Sequence, residues 1–471
     1  MLRAQLRSET AMFVGARPRN FLPTWKKLTS DPEIVLIVKG AELEFAEQEL
    51  PFPICSQPKL EESEMSVIDS EVEKLEATKK KKKSFPTANR SLVIIYHHSL
   101  PDGKKDGSHH VILNLKELNK DIAYDHFKME TLQEALNLIT PNCFLASTDL
   151  RDAYNFIPIA EHHRTFLRLL WRGQLLQYDC WPYGLVLATW KFTNLTKPVF
   201  VKLKEDGPVP TSYLGDSLLV SKSEKESTLN VLATVQLFRS LGFIVYPEKF
   251  ISKPAQQIPY LGVISESESV TVMLKDGRKA SLTECWVKAL TERKQTIRDT
   301  AKVEGEIVAS FPAVTHGPLQ YRHSEETKRA AVREAQGHCD RPVCLSPHAG
   351  GELRWRADNV YTAHNDVTPT DSDFAVASDA SLPWWGCVSE RESSVGPVAA
   401  SGSQISHQLS WAQGRLFRFD TSWNKDAHRH VRLLLDNTTA VACINIMGTS
   451  HSDSCNDITF CIWQWCQARN I

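Results

Sequence analysis

The sequence of 471 residues lacks the features that assign a chain to a common class at once. No apolar run approaches the roughly 20 residues of a membrane-spanning helix. Lys and Arg number 55 against 56 Asp and Glu, so any surface that attracts nucleic acid must be local. Neither a Walker loop nor a dinucleotide-binding glycine pattern occurs. These absences argue against a membrane-spanning protein, against a P-loop enzyme and against a dinucleotide-binding enzyme.

Cysteine is present without a repeating spacing. The eleven cysteines are odd in number and no secretory signal opens the sequence. This predicts reduced thiols in an intracellular protein of the cytoplasm or the nucleus. His338, Cys339, Cys344 and His348 could be drawn as a zinc site, but their spacing fits no common zinc module, and we expect ordinary loop residues.

The pattern of apolar residues divides the chain into several parts, and its length predicts two to four compact units. EIVLIV (33–38) is a possible strand, and residues 61–77 have helical periodicity. The lysine run 79–83 is typical of a solvated linker, the alternative being an arm that attracts phosphate. Strands and helices alternate from about residue 91, residues 276–365 are mostly helical, and a β-rich start follows residue 370. Such mixing predicts an α+β unit.

The stretch SYLGDSLLVS (212–221) predicts a tight hairpin with Gly215 and Asp216 at the bend, where residues that tolerate positive φ belong. In one interpretation Asp216 only turns the chain. In the other it joins Asp149, which ends the apolar strand FLAST, to hold divalent metals for phosphoryl transfer. Two acids this far apart in the sequence do not by themselves decide between the two interpretations.

Six stretches in a fixed order resemble the successive motifs of reverse transcriptases. They are KKDGSHHVILNLKELN, FLASTDLRDAYNFIPI, WPYGL with KFTNLTKPVF, YLGDSLLVSKS, LGFIVYPEK and IPYLGVI. The closest resemblance is to the reverse transcriptase/ribonuclease H polyproteins of DIRS-like, tyrosine-recombinase retrotransposons, and it runs from about residue 15 to the end. VASDASLPWWG and RLLLDNTTAVACINIMG resemble the first and third acidic motifs of their ribonuclease H domain.

The resemblance implies an α+β fold, with a right-hand polymerase of fingers, palm and thumb followed by a ribonuclease H-like α/β domain. It divides the chain into an N-terminal extension and linker (1–90), fingers and palm (91–275), a helical thumb and connection (276–368), and a C-terminally truncated ribonuclease H-like domain (369–471).

The resemblance also implies a role for each matching residue. Asp149, the backbone carbonyl of Leu150 and Asp216 would bind Mg²⁺ (or Mn²⁺) in the polymerase site, and Asp379 and Asp436 would do so in the ribonuclease site. The nucleotide pocket would use Lys104 or Lys105 against the triphosphate, Asp152, Ala153 and Tyr154 as its floor, Gly184 for close approach of template and nucleotide, and Lys249 to protonate pyrophosphate. Tyr154 would exclude a 2′-hydroxyl.

The chain departs from the family pattern at several of these positions. Family members carry Tyr-x-Asp-Asp in the hairpin, and Gly215 replaces the first aspartate, the essential metal ligand. His110 stands where an arginine is usual, and Trp190 in VLATW replaces small residues near the pocket. No Asp or Glu lies between Glu392 and Asp420, where a ribonuclease glutamate is expected. Gln413 could align there, but a neutral amide is a poor substitute, and the chain ends before the last aspartate of the family.

The sequence therefore predicts a retrotransposon RNA-directed DNA polymerase with a ribonuclease H-like domain, impaired in both activities. Its partners would be an RNA template, a DNA primer, deoxynucleotides and RNA–DNA hybrid. Two alternatives stay open: a degenerate copy that binds nucleic acid without chemistry, and the translation of a pseudogene that does not fold stably.

Overall fold

The structure is a computed structural model that describes residues 6–7, 14–46, 62–77, 81–83, 94–97, 111–124, 126–292, 295–367, 372–380, 384–389, 393–397, 430–449 and 452–469. The chain forms two compact units. The first comprises residues 1–261 and 267–269, and the second comprises residues 262–266 and 270–471. No helix in the described ranges is both long and apolar enough to cross a membrane.

Helices and strands are numbered here in chain order. The helices are α1 Leu22–Leu28, α2 Pro32–Gly40, α3 Glu62–Ala77, α4 Lys116–Asp121, α5 Leu132–Leu136, α6 Ala188–Glu205, α7 Glu224–Ser240, α8 Asp276–Thr291, α9 Ile297–Ser310, α10 Arg322–Glu334, α11 Pro347–Asn359, α12 Thr438–Asn445 and α13 Asp453–Arg469. The strands of the first unit are β1 Lys81–Lys83, β2 Ile94–His97, β3 Val111–Asn114, β4 Phe144–Asp149, β5 Arg168–Trp171, β6 Gln174–Tyr178, β7 Val209–Tyr213, β8 Asp216–Ser221, β9 Ile251–Ala255 and β10 Gln257–Tyr260. Those of the second unit are β11 Val263–Glu266, β12 Thr271–Leu274, β13 Gln295–Thr296, β14 Pro342–Val343, β15 Asn365–Asp366, β16 Phe374–Ala380, β17 Trp384–Ser389, β18 Ser393–Pro397 and β19 Val431–Leu435.

The centre of the first unit is an antiparallel sheet in the order β7-β8-β4-β9. Its strands β4 and β8 are buried along almost their whole length, and α6 and α7 contact the sheet. The predicted helix at residues 61–77 and the predicted hairpin at 212–221 are confirmed. This layer of helices against one sheet holds the ends of β4 and β8 in a fixed place.

Two segments differ from their prediction. Residues 33–38 are part of helix α2 because the Asp31 side chain accepts a hydrogen bond from the Glu33 N–H at 2.9 Å and Pro32 occupies the first turn. Lys81–Lys83 of the presumed linker pair with the edge of β6, since a backbone edge accepts any sequence without proline.

A strap, defined here as residues 41–46, lies between two other parts of the first unit. Ala41 forms a bridge with Ile159, and Phe45 forms one with Ile122. Before the strap, Trp25 of α1 is fully buried and donates its indole N–H to the Leu241 carbonyl at 2.9 Å. The N-terminal segment is therefore built into the first unit.

In the second unit, helices α8 to α11 follow strands β11 and β12. Glu352 of α11 accepts hydrogen bonds from the N–H groups of His323 and Ser324 at 2.9 and 2.8 Å, and so satisfies the first turn of α10. A further sheet has the order β18-β17-β16-β19, in which β19 runs parallel to β16 and the other pairs are antiparallel. Side chains of α13 pack against Leu433 of β19.

Candidate active site

The structure places Asp149 and Asp216 directly opposite each other at the ends of β4 and β8. Side chains of opposite residues in an antiparallel pair lie on the same face of the sheet, close together. The strand ends are fixed by the backbone, because the Leu150 N–H donates to the Gly215 carbonyl at 2.9 Å and the Tyr246 N–H donates to the Asp149 carbonyl at 2.7 Å. The two predicted catalytic carboxylates thus form one site.

Lys249 neutralises part of this charge. Its Nζ lies 2.7 Å from Oδ2 of Asp149. Burial, together with the charge of Asp149, raises the pKa of Asp216 to about 6, while Lys249 acts in the opposite direction. Partial burial lowers the pKa of Lys249, but its hydrogen bond to Asp149 and the two carboxylate charges outweigh this and raise it. The pair of carboxylates therefore carries more negative charge than Lys249 alone offsets.

The hairpin bend differs from the prediction in one respect. The two residues of the loop are Leu214 and Gly215, and it is Leu214 that takes the left-handed conformation, with φ of 55°. Gly215 has no positive φ, and Asp216 is already the first residue of β8. Gly215 is therefore not required by the backbone of the turn.

The position of Gly215 faces the carboxylate site. A Cβ atom added to Gly215 would lie 3.1 Å from the Leu150 carbonyl oxygen, 3.5 Å from the Ala153 Cβ and 3.5 Å from Oδ1 of Asp149. A side chain at this position would thus project between Asp149 and the Leu150 carbonyl. A carboxylate at this position would face Asp149 once the Leu150 carbonyl had moved by a few tenths of an ångström.

The oxygen donors of the site fit a divalent cation. Asp149, the Leu150 carbonyl and Asp216 are hard oxygen ligands of the kind that Mg²⁺ and Mn²⁺ prefer. Two ions close together would need further carboxylates to offset their repulsion, and Gly215 is the neighbouring position from which a side chain would face Asp149.

The predicted pocket floor lies next to this pair. Asp152, with φ of 51°, precedes a 3-10 turn over Ala153–Phe156. The half-buried ring of Tyr154 packs edge-on against Tyr183 at 5.4 Å and Phe192 at 6.1 Å between centroids. Burial and then the neighbouring Tyr213 raise the pKa of Tyr154. The floor is an aromatic cluster beside two carboxylates.

Tyr183 is a residue of this cluster that the sequence reasoning missed. Burial is the main cause that raises the pKa of its phenol, and the charges of Asp152 and Asp149 add to it. Its place in the WPYGL motif was the available signal, since the same motif supplies Gly184. Gly184 follows it, is exposed, and has φ of 100°. The loop that carries both residues borders the site.

Trp190, expected near the pocket, lies half-buried in the first turn of α6. Its ring lies 4.3 Å from Nζ of Lys191. Lys191 is buried and binds Oε1 of Glu44, in the strap, at 2.5 Å.

Several predicted residues cannot be placed. Lys104, Lys105, His110 and Gln413 lie outside the described residues. The described backbone brings Asp379 and Asp436 to neighbouring positions, because Ser378 of β16 pairs with Leu435 of the parallel strand β19. The exposed Asp436 follows β19 directly.

Two other groups of potential metal ligands are less suited to binding an ion. Among the described residues, the ligand atoms of His338, Cys339, Cys344 and His348 do not form a group close enough for one ion. Glu42, His162 and His163 do converge. However, Nδ1 of His163 accepts the Leu43 N–H at 2.7 Å, and burial lowers the pKa of this ring. The neutral ring then carries its proton on Nε2, so neither nitrogen has a free lone pair for a metal.

Comparison with known proteins agrees with this geometry. Residues 103–265 match the protein family described as "Reverse transcriptase (RNA-dependent DNA polymerase)". The Tf2-3 and Tf2-4 transposon polyproteins of Schizosaccharomyces pombe are 26% identical to this chain over 148 residues, which are 31% of this chain and 11% of each polyprotein. The alignment thus spans about a tenth of the length of these relatives.

Solved structures with a similar fold include the foamy viral protease-reverse transcriptase in complex with RNA/DNA hybrid, with a TM-score of 0.59, 12% identity, and coverage of 90% of this chain and 55% of that chain. The same protein in complex with dsDNA has a TM-score of 0.57 and 13% identity, and covers 84% of this chain and 88% of that chain. The predicted α+β polymerase fold is confirmed. Residues 103–265 are therefore a reverse transcriptase domain of the retrotransposon type.

Proposed function

We propose that the chain is an RNA-directed DNA polymerase whose catalytic centre is impaired by Gly215, and that it retains the ability to bind template and primer. The observation that carries the proposal is the position of Gly215, from which a carboxylate would reach toward Asp149 and the Leu150 carbonyl. The loss of one metal-binding carboxylate costs on the order of 10³-fold in rate.

The remaining residues would have the following roles. Asp149, the Leu150 carbonyl and Asp216 hold one divalent ion, which when bound neutralises phosphate charge. Lys249, 2.7 Å from Asp149, supplies a proton at its ammonium group to a leaving pyrophosphate. Tyr154 and Tyr183 form the wall against which the sugar of a deoxynucleotide would rest. Lys104 or Lys105 would contact the triphosphate.

The substrates belong to this proposal as well. An RNA template paired with a DNA primer is the expected partner, and the similar foamy viral enzyme has been solved with RNA/DNA hybrid and with dsDNA. We propose the same divisions of the chain as above, with a ribonuclease H-like domain over residues 369–471. The neighbouring backbone positions of Asp379 and Asp436 support such a domain. The absence of acids between Glu392 and Asp420 supports its inactivity.

The experiment measures binding and extension on the same samples. Fluorescence anisotropy of a labelled poly(rA)/oligo(dT) duplex should rise with added protein, while denaturing gels with dTTP and Mg²⁺ or Mn²⁺ should show no extended primer. Binding without extension supports the proposal. Extension by the native chain, lost in Asp149→Asn, contradicts impairment. A chain that neither binds the duplex nor unfolds cooperatively favours the pseudogene alternative.

A further inference from the structure

The exposed loop beside the carboxylates is held by one side chain from a distant part of the sequence. Asn119 donates its side-chain N–H to the Gly184 carbonyl at 2.9 Å, and its side-chain oxygen accepts the Val186 N–H at 3.0 Å. Both ends of one amide thus contact the two sides of the loop tip. Neither backbone group is part of a helix or strand, so these two bonds fix the loop in place of regular structure.

This loop borders the site. Tyr183 packs on Tyr154, and Gly184 exposes its backbone next to it. The φ of 100° at Gly184 is a conformation that a residue with a side chain rarely adopts. An exposed glycine backbone next to a pair of carboxylates is a surface on which a flat ligand can lie closely. A small shift of this loop would therefore change the depth of the pocket.

Asn119 lies in helix α4, which is held in place by hydrogen bonds to the strap. Helix α4 has only six residues, too few to be stable alone. The strap holds its C-terminal end, because the Ala46 N–H donates to the Asp121 carbonyl at 2.9 Å and the Ala123 N–H donates to the Glu44 carbonyl at 2.8 Å. The N-terminal strap, α4 and the loop thus form a continuous chain of contacts that ends at the site.

We propose that Asn119 is a positioning residue of the polymerase site. Through its bonds to Gly184 and Val186, Asn119 holds their loop at the depth that a paired template base and incoming deoxynucleotide require. This inference rests on the proposed function. Asn119 is half-buried and is not part of the hydrophobic core, so its loss displaces the loop more than it unfolds the unit.

The test compares Asn119→Ala and Asn119→Asp with a matched control, Asn137→Ala, which removes an exposed asparagine at the end of α5 that accepts only from Gln133. Hydrogen exchange of the Val186 amide should accelerate at least roughly tenfold in Asn119→Ala and not in the control. Asn119→Asp keeps the acceptor for Val186 but loses the donor to Gly184, and should protect this amide. Melting temperatures of Asn119→Ala and Asn137→Ala should be similar.

The functional experiment measures the affinity for the nucleotide separately from the affinity for the duplex. With the labelled duplex, complementary dTTP and Mg²⁺, affinity for the nucleotide should fall roughly tenfold in Asn119→Ala, while affinity for the duplex alone changes less than about twofold. In the Gly215→Asp background, KM for dTTP should rise with little change in kcat. Equal nucleotide affinity in parent and variant overturns the positioning role alone. A parent chain that does not bind the duplex overturns the proposed function and, with it, this inference.

Discussion

At the scale of single residues, the proposed impairment of the site rests on one position, Gly215. The hairpin does not need glycine there, since the left-handed residue is Leu214. An aspartate could take the backbone conformation, with its Cβ at 3.1 Å from the Leu150 carbonyl requiring a shift of a few tenths of an ångström. The backbone of the hairpin therefore does not require a glycine at this position, and the proposed impairment follows from the missing carboxylate alone.

Gly215→Asp should make stability depend on divalent metal. Without metal, a third carboxylate beside Asp149 and Asp216 should lower the free energy of unfolding by about 1–2 kcal/mol, because like charges repel in a partly buried site. Added Mg²⁺ should restore it. Differential scanning fluorimetry with and without Mg²⁺ measures this effect.

The matched control is Gly277→Asp, in the first turn of α8, where an added Cβ meets nothing within 4 Å. An acid there interacts favourably with the helix dipole, so this variant should show no response to Mg²⁺ beyond that of the parent. The same Mg²⁺ response in both variants would contradict a metal site at Asp149.

Asp216 should make the first unit less stable as pH rises. Its pKa in the folded state, about 6, exceeds the ordinary value of 3.8. The folded state therefore binds the proton more tightly than the unfolded state. The resulting stabilisation is complete below pH 3.8 and is lost as pH rises through 6. Asp216→Asn should raise the free energy of unfolding at pH 7 by on the order of 2 kcal/mol.

Urea unfolding of the parent and of Asp216→Asn at pH 5 and pH 7.5, without divalent metal, measures this difference. The variant should gain more at the higher pH. An equal difference at both values would show that Asp216 titrates normally.

At the scale of elements, the strands and helices around the carboxylates follow from local sequence. β4 and β8 are apolar runs that end in Asp149 and begin with Asp216, and α6 has helical periodicity. The segment 33–38 is helical and not a strand. The cap at Asp31 and the buried residues Ile34, Ile37 and Val38, at positions i, i+3 and i+4, outweigh the strand preference of its β-branched residues.

Contacts between distant segments could not be predicted in this way. Asn119 and Gly184 are 65 residues apart, and no pattern in either stretch indicates that they meet. The same holds for His163, whose ring accepts the Leu43 N–H across 120 residues. Only the folded chain shows such pairs, whereas the aspartates could be inferred from a motif.

The N-terminal segment should be required for stability of the first unit. Trp25→Ala should lower the free energy of unfolding by about 3–5 kcal/mol, since it removes a fully buried ring. Trp25→Phe should cost less, on the order of 1 kcal/mol from the lost hydrogen bond to Leu241. Urea denaturation followed by circular dichroism measures both. Tyr124→Ala, at a ring that is 49% exposed, serves as control, and a similar loss in all three variants would mean that α1 does not pack as described.

At the scale of the whole molecule, the net charge of −1 gives no indication of the locally charged site around Asp149. The charged residues that matter are a few carboxylates and one lysine in a unit built like known reverse transcriptases. Under the proposed function, Gly215 and the absence of acids between Glu392 and Asp420 remove the chemistry, while the polymerase fold keeps the surface that binds template and primer.

The most direct test of this account is single-turnover primer extension on poly(rA)/oligo(dT) with Mg²⁺, comparing the native chain, Gly215→Asp, and Gly215→Asp combined with Asp149→Asn. We expect the Gly215→Asp chain to extend primer at least on the order of 10³-fold faster than the native chain, and the double variant to be inactive. Extension by the native chain at the rate of Gly215→Asp would contradict the account, because Asp149 and Asp216 would then suffice without a carboxylate at position 215.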